Sequence, residues 1–306
     1  MMEKIAFLFA GQGAQAPGMG KSLYETSKAA KEVFQKAEAL RPGTMEQCFF
    51  GTQEVLAVTQ NTQPCLFTVE CACAAALTEA GVTAQGTAGF SLGELSAVTY
   101  AGMLSFEQAF GLVVKRAALM QAAAERCPGA MTAVLKLDAQ TVEELAKGFD
   151  RVFPVNYNCP GQTVVSGALE PLAAFEQAVA AQGGRAMRLK VGGGFHSPFM
   201  ETASQGLEDY LQGVSLQKPR MPLYANATAQ PYGADGKTLL AAQVKQPVLW
   251  QRTIENMLSQ GYTAFVELGP GKTLCGFLKK IGGARHILNV EDAASLAKTL
   301  EQIQEA

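Results

Sequence analysis

The sequence predicts an α/β chain with a small α+β insertion, on three observations. Residues 87–98, TAGFSLGELSAV, set Ser91 between Gly89 and Gly93 in a G-x-S-x-G pattern, where a strand would turn sharply into a helix. Residues 4–9, KIAFLF, are a short apolar run that stops at Gly11-Gln12-Gly13, which reads as a buried parallel-type strand entering a tight loop. Further on, strand 131–137, helix 141–148, strands 152–157 and 162–167, helix 169–182 and strand 185–191 give a β-α-β-β-α-β order, the ferredoxin-like split unit. Pro128-Gly129 and Gly192-Gly193-Gly194 bound that unit, so a small subdomain is expected at 127–197, inserted into a larger domain formed by 1–126 and 198–306.

Composition sets the limits. A chain of 306 residues that is 48% hydrophobic can bury a large core. It has no uninterrupted run of 18 apolar residues, and the apolar stretch near its start is too short for a signal peptide, so a soluble, cytoplasmic protein is expected. A formal charge of -2 and a pI near 5.9 argue against nucleic acid, which wants a basic surface. The seven cysteines are odd in number and lack CxxC spacing; they read as reduced core residues, with no metal site.

Taken in order, each element has a local reason. The first strand's loop, GQGAQA, fits the dinucleotide pattern G-x-G-x-x-G/A in form only, because Pro17 and Gly18 interrupt where a helix must open. A glycine-rich loop there can instead present the Gln12 N–H to an oxyanion. Residues 21–40 have a helical pattern, and after a polar loop a buried helix is expected over 63–80, with Pro64 at its start and Gly81 at its stop. At the elbow a side chain on residue 89 or 93 would crowd the junction, and the helix start brings N–H groups and positive dipole beside Ser91. Serine is also a favoured helix N-cap, so nucleophile and cap both remain open for Ser91. Ser105 and Gln108 form an S-x-x-Q capping box that opens a helix running to about 126. Beyond the insertion come helix 198–211, an extended stretch at 222–226, a helix after Trp250, and strand 264–268. The Gly271-Lys272-Thr273 that follows is a decoy, since Val266 stands where a phosphate-binding loop needs glycine.

Two side chains stand out on physical grounds. Arg116 falls in the apolar face of the helix that Ser105 opens, and a buried guanidinium requires an anion. That anion is either a structural carboxylate or a substrate carboxylate gripped bidentately, unless the side chain snorkels to solvent. Only two histidines exist. His286 lies in RHILNV, which reads as a structural strand; His196 lies in GGGFHSPFM at the exit of the insertion, where it can lean over the elbow as a base.

Taken together, FLFAGQGAQAPGMG, GFSLGE, VKRAALMQ, NYNCPGQTVVSG, GGFHSPFM, PVLW and VELGPGKTL resemble the malonyl-CoA:acyl carrier protein transacylase family over essentially the whole chain. The resemblance implies an α/β-hydrolase-like large domain with a parallel sheet and a ferredoxin-like insert. It implies Ser91 as nucleophile, His196 as base, Arg116 as the malonyl carboxylate clamp, and the N–H groups of Gln12 and Leu92 as oxyanion hole. Phe195 and Asn158 are implied as substrate-binding residues, an aromatic at 195 going with malonyl over methylmalonyl. The implied reaction is ping-pong transfer from malonyl-CoA to the phosphopantetheine thiol of acyl carrier protein, in fatty acid or polyketide synthesis, with no permanently bound cofactor, metal, nucleic acid or membrane. A serine thioesterase or esterase, or a non-catalytic carrier-docking module, is the alternative. Three positions depart from the family. Phe90 replaces a histidine, Cys159 a serine, and Leu249 a glutamine near the catalytic histidine. Since a leucine side chain cannot orient an imidazole, the backbone carbonyl of Leu249 is expected to hold His196 Nδ1.

Overall fold

The structure, a computed structural model, describes residues 4–305; residues 1–3 and 306, assigned above to the larger domain, lie outside the described residues. Strand β1 (Lys4–Phe9) is buried over its last four residues, as a central parallel strand must be. The helix expected over 21–40 is two, α1 (Lys21–Thr26) and α2 (Lys28–Leu40). Ser27 is extended between them and accepts the Ala30 N–H, which ends one helix and caps the next. The polar loop holds α3 (Thr44–Phe50) and α4 (Gln53–Ala57), anchored by buried Cys48 and Leu56. Helix α5 (Thr59–Glu79) starts four residues before the position read from Pro64, because a proline this early removes only one bond of the ladder. Strand β2 (Gly86–Gly89) leads through the elbow to α6 (Gly93–Tyr100). Helix α7 (Phe106–Arg126) opens with the Ser105/Gln108 capping box, both bonds present.

The next stretch runs β3 (Ala130–Leu135), α8 (Ala139–Ala146), β4 (Val152–Cys159), β5 (Gln162–Gly167), α9 (Leu169–Ala181) and β6 (Arg185–Arg188), matching the order read from the sequence. Its sheet is antiparallel in the order β4-β5-β3-β6. Val142, Leu172, Phe175 and Val179 from the two helices pack on Val134, Val152 and Val165 of the sheet. Strand β6 ends three residues short of expectation, and Arg188 pairs with Glu176 at 2.8 Å.

A short 3₁₀ turn over Pro198–Met200 precedes α10 (Glu201–Gln212), β7 (Leu223–Tyr224), α11 (Gly236–Ala242), α12 (Trp250–Ser259), β8 (Tyr262–Leu268), α13 (Thr273–Ile281), β9 (His286–Val290) and α14 (Ala293–Gln304). Strands β7-β2-β1-β8-β9 form a parallel sheet in that order. Phe9 lies opposite both Gly89 and Leu268, so β1, β2 and β8 end level. Gln12 and Ser91 therefore emerge side by side at the carboxyl edge, where open α/β sheets bind ligands. The two sheets are tied through one segment: Tyr157 N–H donates to the Val248 carbonyl at 2.9 Å and Val248 N–H to that of Val155 at 2.7 Å.

Candidate active site

The elbow is built as its glycines require. A Cβ on Gly89 would run into the backbone of Gly93, and one on Gly93 into the carbonyls of Phe9 and Ala10. Ser91 has φ 53, a left-handed conformation that is strained for any residue other than glycine. The elbow is held from behind by Asn226, whose Oδ1 accepts the Ser91 N–H at 2.7 Å while its Nδ2 donates to the Gly89 carbonyl at 2.6 Å. A residue that caps a helix with its hydroxyl does not need this conformation; the Ser91 hydroxyl points instead at an imidazole.

His196 Nε2 lies 2.7 Å from Ser91 Oγ. Like Ser91, His196 has positive φ, 60. Its Nδ1 faces two carbonyl oxygens, Gln243 at 2.9 Å and Gln246 at 3.1 Å, and its N–H donates to the Val244 carbonyl at 2.9 Å. Carbonyls only accept, so Nδ1 carries the hydrogen and Nε2 presents a lone pair to the serine. This corrects the expectation for Leu249: its carbonyl accepts from Thr253 N–H and Oγ1 as α12 begins, and the 243–246 segment holds the ring instead. The physical idea of a backbone orienter stands; the residue does not.

Arg116 is 1% exposed. Its Nη2 donates to Ser91 Oγ at 3.2 Å and to Gln243 Oε1 at 2.8 Å, while Nε has no partner among the described residues. Among the described residues no carboxylate lies within 4.0 Å of it, so the structural ion pair left open by the sequence is not made. Glu94 is linked to Arg116 through Gln243, whose Nε2 donates to the Ser91 carbonyl at 2.5 Å and to Glu94 Oε2 at 2.9 Å. Glu94 also accepts from Tyr232 at 2.5 Å and from Asn226 N–H at 3.2 Å.

These contacts set the charges. Burial pulls Arg116 down to about 10, opposed by Glu94, and burial raises Glu94 to about 7 against the hydrogen bonds of Tyr232 and Gln243. His196 is lowered to about 4, first by burial and then by the Arg116 charge, with the Gln243 and Gln246 carbonyls opposing. Its imidazole is therefore neutral throughout the physiological range.

Among the described residues no protein acceptor takes the backbone N–H of Gln12 or of Leu92, the two expected oxyanion donors. Gln12, Phe90 and Asn158 line a cleft of about 390 Å³ between the two sheets. The buried Oδ1 atoms of Asn156 and Asn158 are unpaired there, ready to accept from an amide. Phe90 packs edge-on against Trp250, centroids 5.5 Å apart, and its ring leaves no room for a Cβ on Gly11. Phe195 is buried in the main core, its carbonyl accepting from Ser166 Oγ at 2.7 Å. Neither it nor Ser91, Arg116 or His196 is among the residues that line this cleft. Gln243, Asn226 and Glu94 were missed in the sequence; Glu94, in GELS, carried the one available signal, an acid in an otherwise buried helix.

The acyl transferase domain family matches residues 6–302. The chain is 37% identical to the malonyl CoA-acyl carrier protein transacylase of Bacillus subtilis, over 99% of this chain and 98% of that one. It resembles the crystal structure of the Clostridium perfringens malonyl CoA-acyl carrier protein transacylase at a TM-score of 0.95 and 39% identity, covering 99% and 98% of the two chains. A malonyl-transacylase solved in complex with its type II PKS acyl-carrier protein aligns at a TM-score of 0.92 and 33% identity, over 98% of this chain and 99% of that one.

Proposed function

This chain belongs to the malonyl CoA-acyl carrier protein transacylase family, and from that premise we propose how its own residues move a malonyl group from malonyl-CoA to an acyl carrier protein. Ser91 Oγ attacks the thioester carbon while His196 Nε2 takes its proton. The oxyanion forms against the N–H groups of Gln12 and Leu92. Collapse breaks the C–S bond, CoA leaves as thiol with the proton from His196, and malonyl-Ser91 remains. The phosphopantetheine thiol of the carrier then gives its proton to His196 and reverses the sequence. Asn158 and Asn156 accept amide hydrogens from the substrate arm, and Phe195 supports the loop of His196 from the core. The reading takes 127–197 as a subdomain inserted in a large domain of 1–126 and 198–306, in a cytoplasmic enzyme with no permanently bound cofactor.

The observation that carries this reading is Arg116. A buried guanidinium that touches the nucleophile and has no carboxylate partner suits an acyl group that brings its own carboxylate. Intact-protein mass spectrometry after brief mixing with malonyl-CoA should show a malonyl adduct on Ser91 that is discharged by carrier thiol faster than by water. Absence of the adduct would favour a docking module, and faster discharge by water would favour a thioesterase.

The pH dependence of loading should follow His196. An imidazole acts as base only when neutral, and this one stays neutral until pH falls through about 4. Burial and the Arg116 guanidinium on α7 hold its value down. The acid limb of malonyl loading should therefore lie well below the ordinary histidine value of about 6.5. A limb at 6 to 7 in pre-steady-state loading would contradict the assignment.

A further inference from the structure

We infer that a second cleft, between α2, α5 and α6, binds a single-chain amphiphile with an anionic head, of the class of a medium-chain carboxylate. Its volume is about 530 Å³, within the range of small-molecule sites. Ala29, Ala74 and Ala75 leave space in this open groove that larger side chains would fill.

The polar groups around it face the protein. Thr78 Oγ1 donates to the Ala74 carbonyl and Thr99 Oγ1 to that of Leu95, each at 2.8 Å. Ser96 Oγ donates to the buried Glu70 at 2.6 Å, and the Tyr100 hydroxyl accepts the Ala84 N–H at 3.0 Å. Glu79, the one acid of the lining, is taken up at the start of α2, accepting from Ser27 Oγ at 2.6 Å and Ala29 N–H at 3.2 Å. What the walls offer a ligand is therefore apolar.

Arg220 is the exception. It is exposed at the rim, and its guanidinium lies over Gly102, where a Cβ would meet Nε, Cζ and Nη2. Among the described residues its one side-chain hydrogen bond is a long one, Nη2 to the Tyr100 carbonyl at 3.4 Å, and no carboxylate lies within 4.0 Å. An apolar slot with one positioned, unpaired guanidinium at its rim fits an alkyl chain that ends in an anion. Ser96, Thr99 and Tyr100 belong to the helix that starts two residues after Ser91, so an occupant would rest against the element that carries the elbow. The inference is independent of which acyl group Ser91 carries.

Calorimetric titration of the full chain with decanoate tests it. Saturable one-to-one binding is expected, weakened about tenfold by Arg220→Ala, the usual worth of one hydrogen bond to a charged group. Ala75→Phe, which fills the slot, should remove it. Decanol, with no charge, should bind the wild type and Arg220→Ala alike. Absence of saturable decanoate binding, or binding that neither variant weakens, would overturn the inference. So would binding weakened by Arg116→Ala, which would place the chain in the catalytic cleft. Arg220 is exposed, so its alanine variant keeps the test decisive even if Ala75→Phe does not fold.

Discussion

His196→Ala should slow malonyl loading of Ser91 by about 10² to 10⁴-fold, the span of a positioned acid-base group, and Ser91→Ala should give no adduct at all. The expectation rests on one short contact, 2.7 Å between Ser91 Oγ and His196 Nε2, and on a ring whose tautomer is set by two carbonyls. Among the described residues no acid completes a triad: Nδ1 meets the backbone oxygens of Gln243 and Gln246. On the proposed mechanism the imidazolium is stabilised by carbonyl dipoles and forms beside the Arg116 charge, which a bound malonyl carboxylate would offset. Single-turnover loading followed by mass spectrometry measures the effect. If His286→Ala were instead the damaging change, the assignment of the base would be wrong; His286 stands on β9, the edge strand of the parallel sheet three places from β2.

Arg116→Ala should lower malonyl transfer by roughly 30-fold to a few thousandfold. Removing one partner of a buried charged pair costs ~2 to 5 kcal/mol, and each 1.4 kcal/mol is about tenfold. Acetyl-CoA has no carboxylate to lose, so its transfer should hold steady or rise once the buried, incompletely paired guanidinium is gone. Lysine at 116 should rescue little, because a point charge cannot both hold Gln243 Oε1 and grip a carboxylate in the plane of a fork. A second consequence comes from the site's electrostatics: without the guanidinium the His196 pKa rises, so the acid limb of acetyl loading should move to higher pH in the alanine variant. The ratio of malonyl to acetyl loading on Ser91 in the wild type, Arg116→Ala and Arg116→Lys decides the matter. A ratio unchanged by alanine, in a protein that is still folded, would return Arg116 to a structural role.

What the sequence by itself determined was everything with a local physical signature. The elbow was legible because two glycines around a serine answer a steric demand made within five residues, and the structure shows what a Cβ at either would strike. The Ser105 capping box, the β-α-β-β-α-β order and the apolar face that carries Arg116 were legible for the same reason: period and capping are short-range chemistry. Elements without such marks are not legible: Pro64 reads as a helix start but lies inside α5, and Ser27 breaks the helical pattern over 21–40 without a local sign. Tertiary structure alone decided who orients His196. Every residue carries a carbonyl, so no residue type announces the orienter, and the choice of Gln243 and Gln246 over Leu249 depends on where the 243–249 segment is pinned by Val248 to the second sheet. It alone also decided that Gln243 joins Arg116, Ser91 and Glu94, residues more than 125 positions away along the chain. An amide side chain that donates to one charge and accepts from another has no periodicity to betray it; its role exists only once folding has removed water and left it as their sole shared partner.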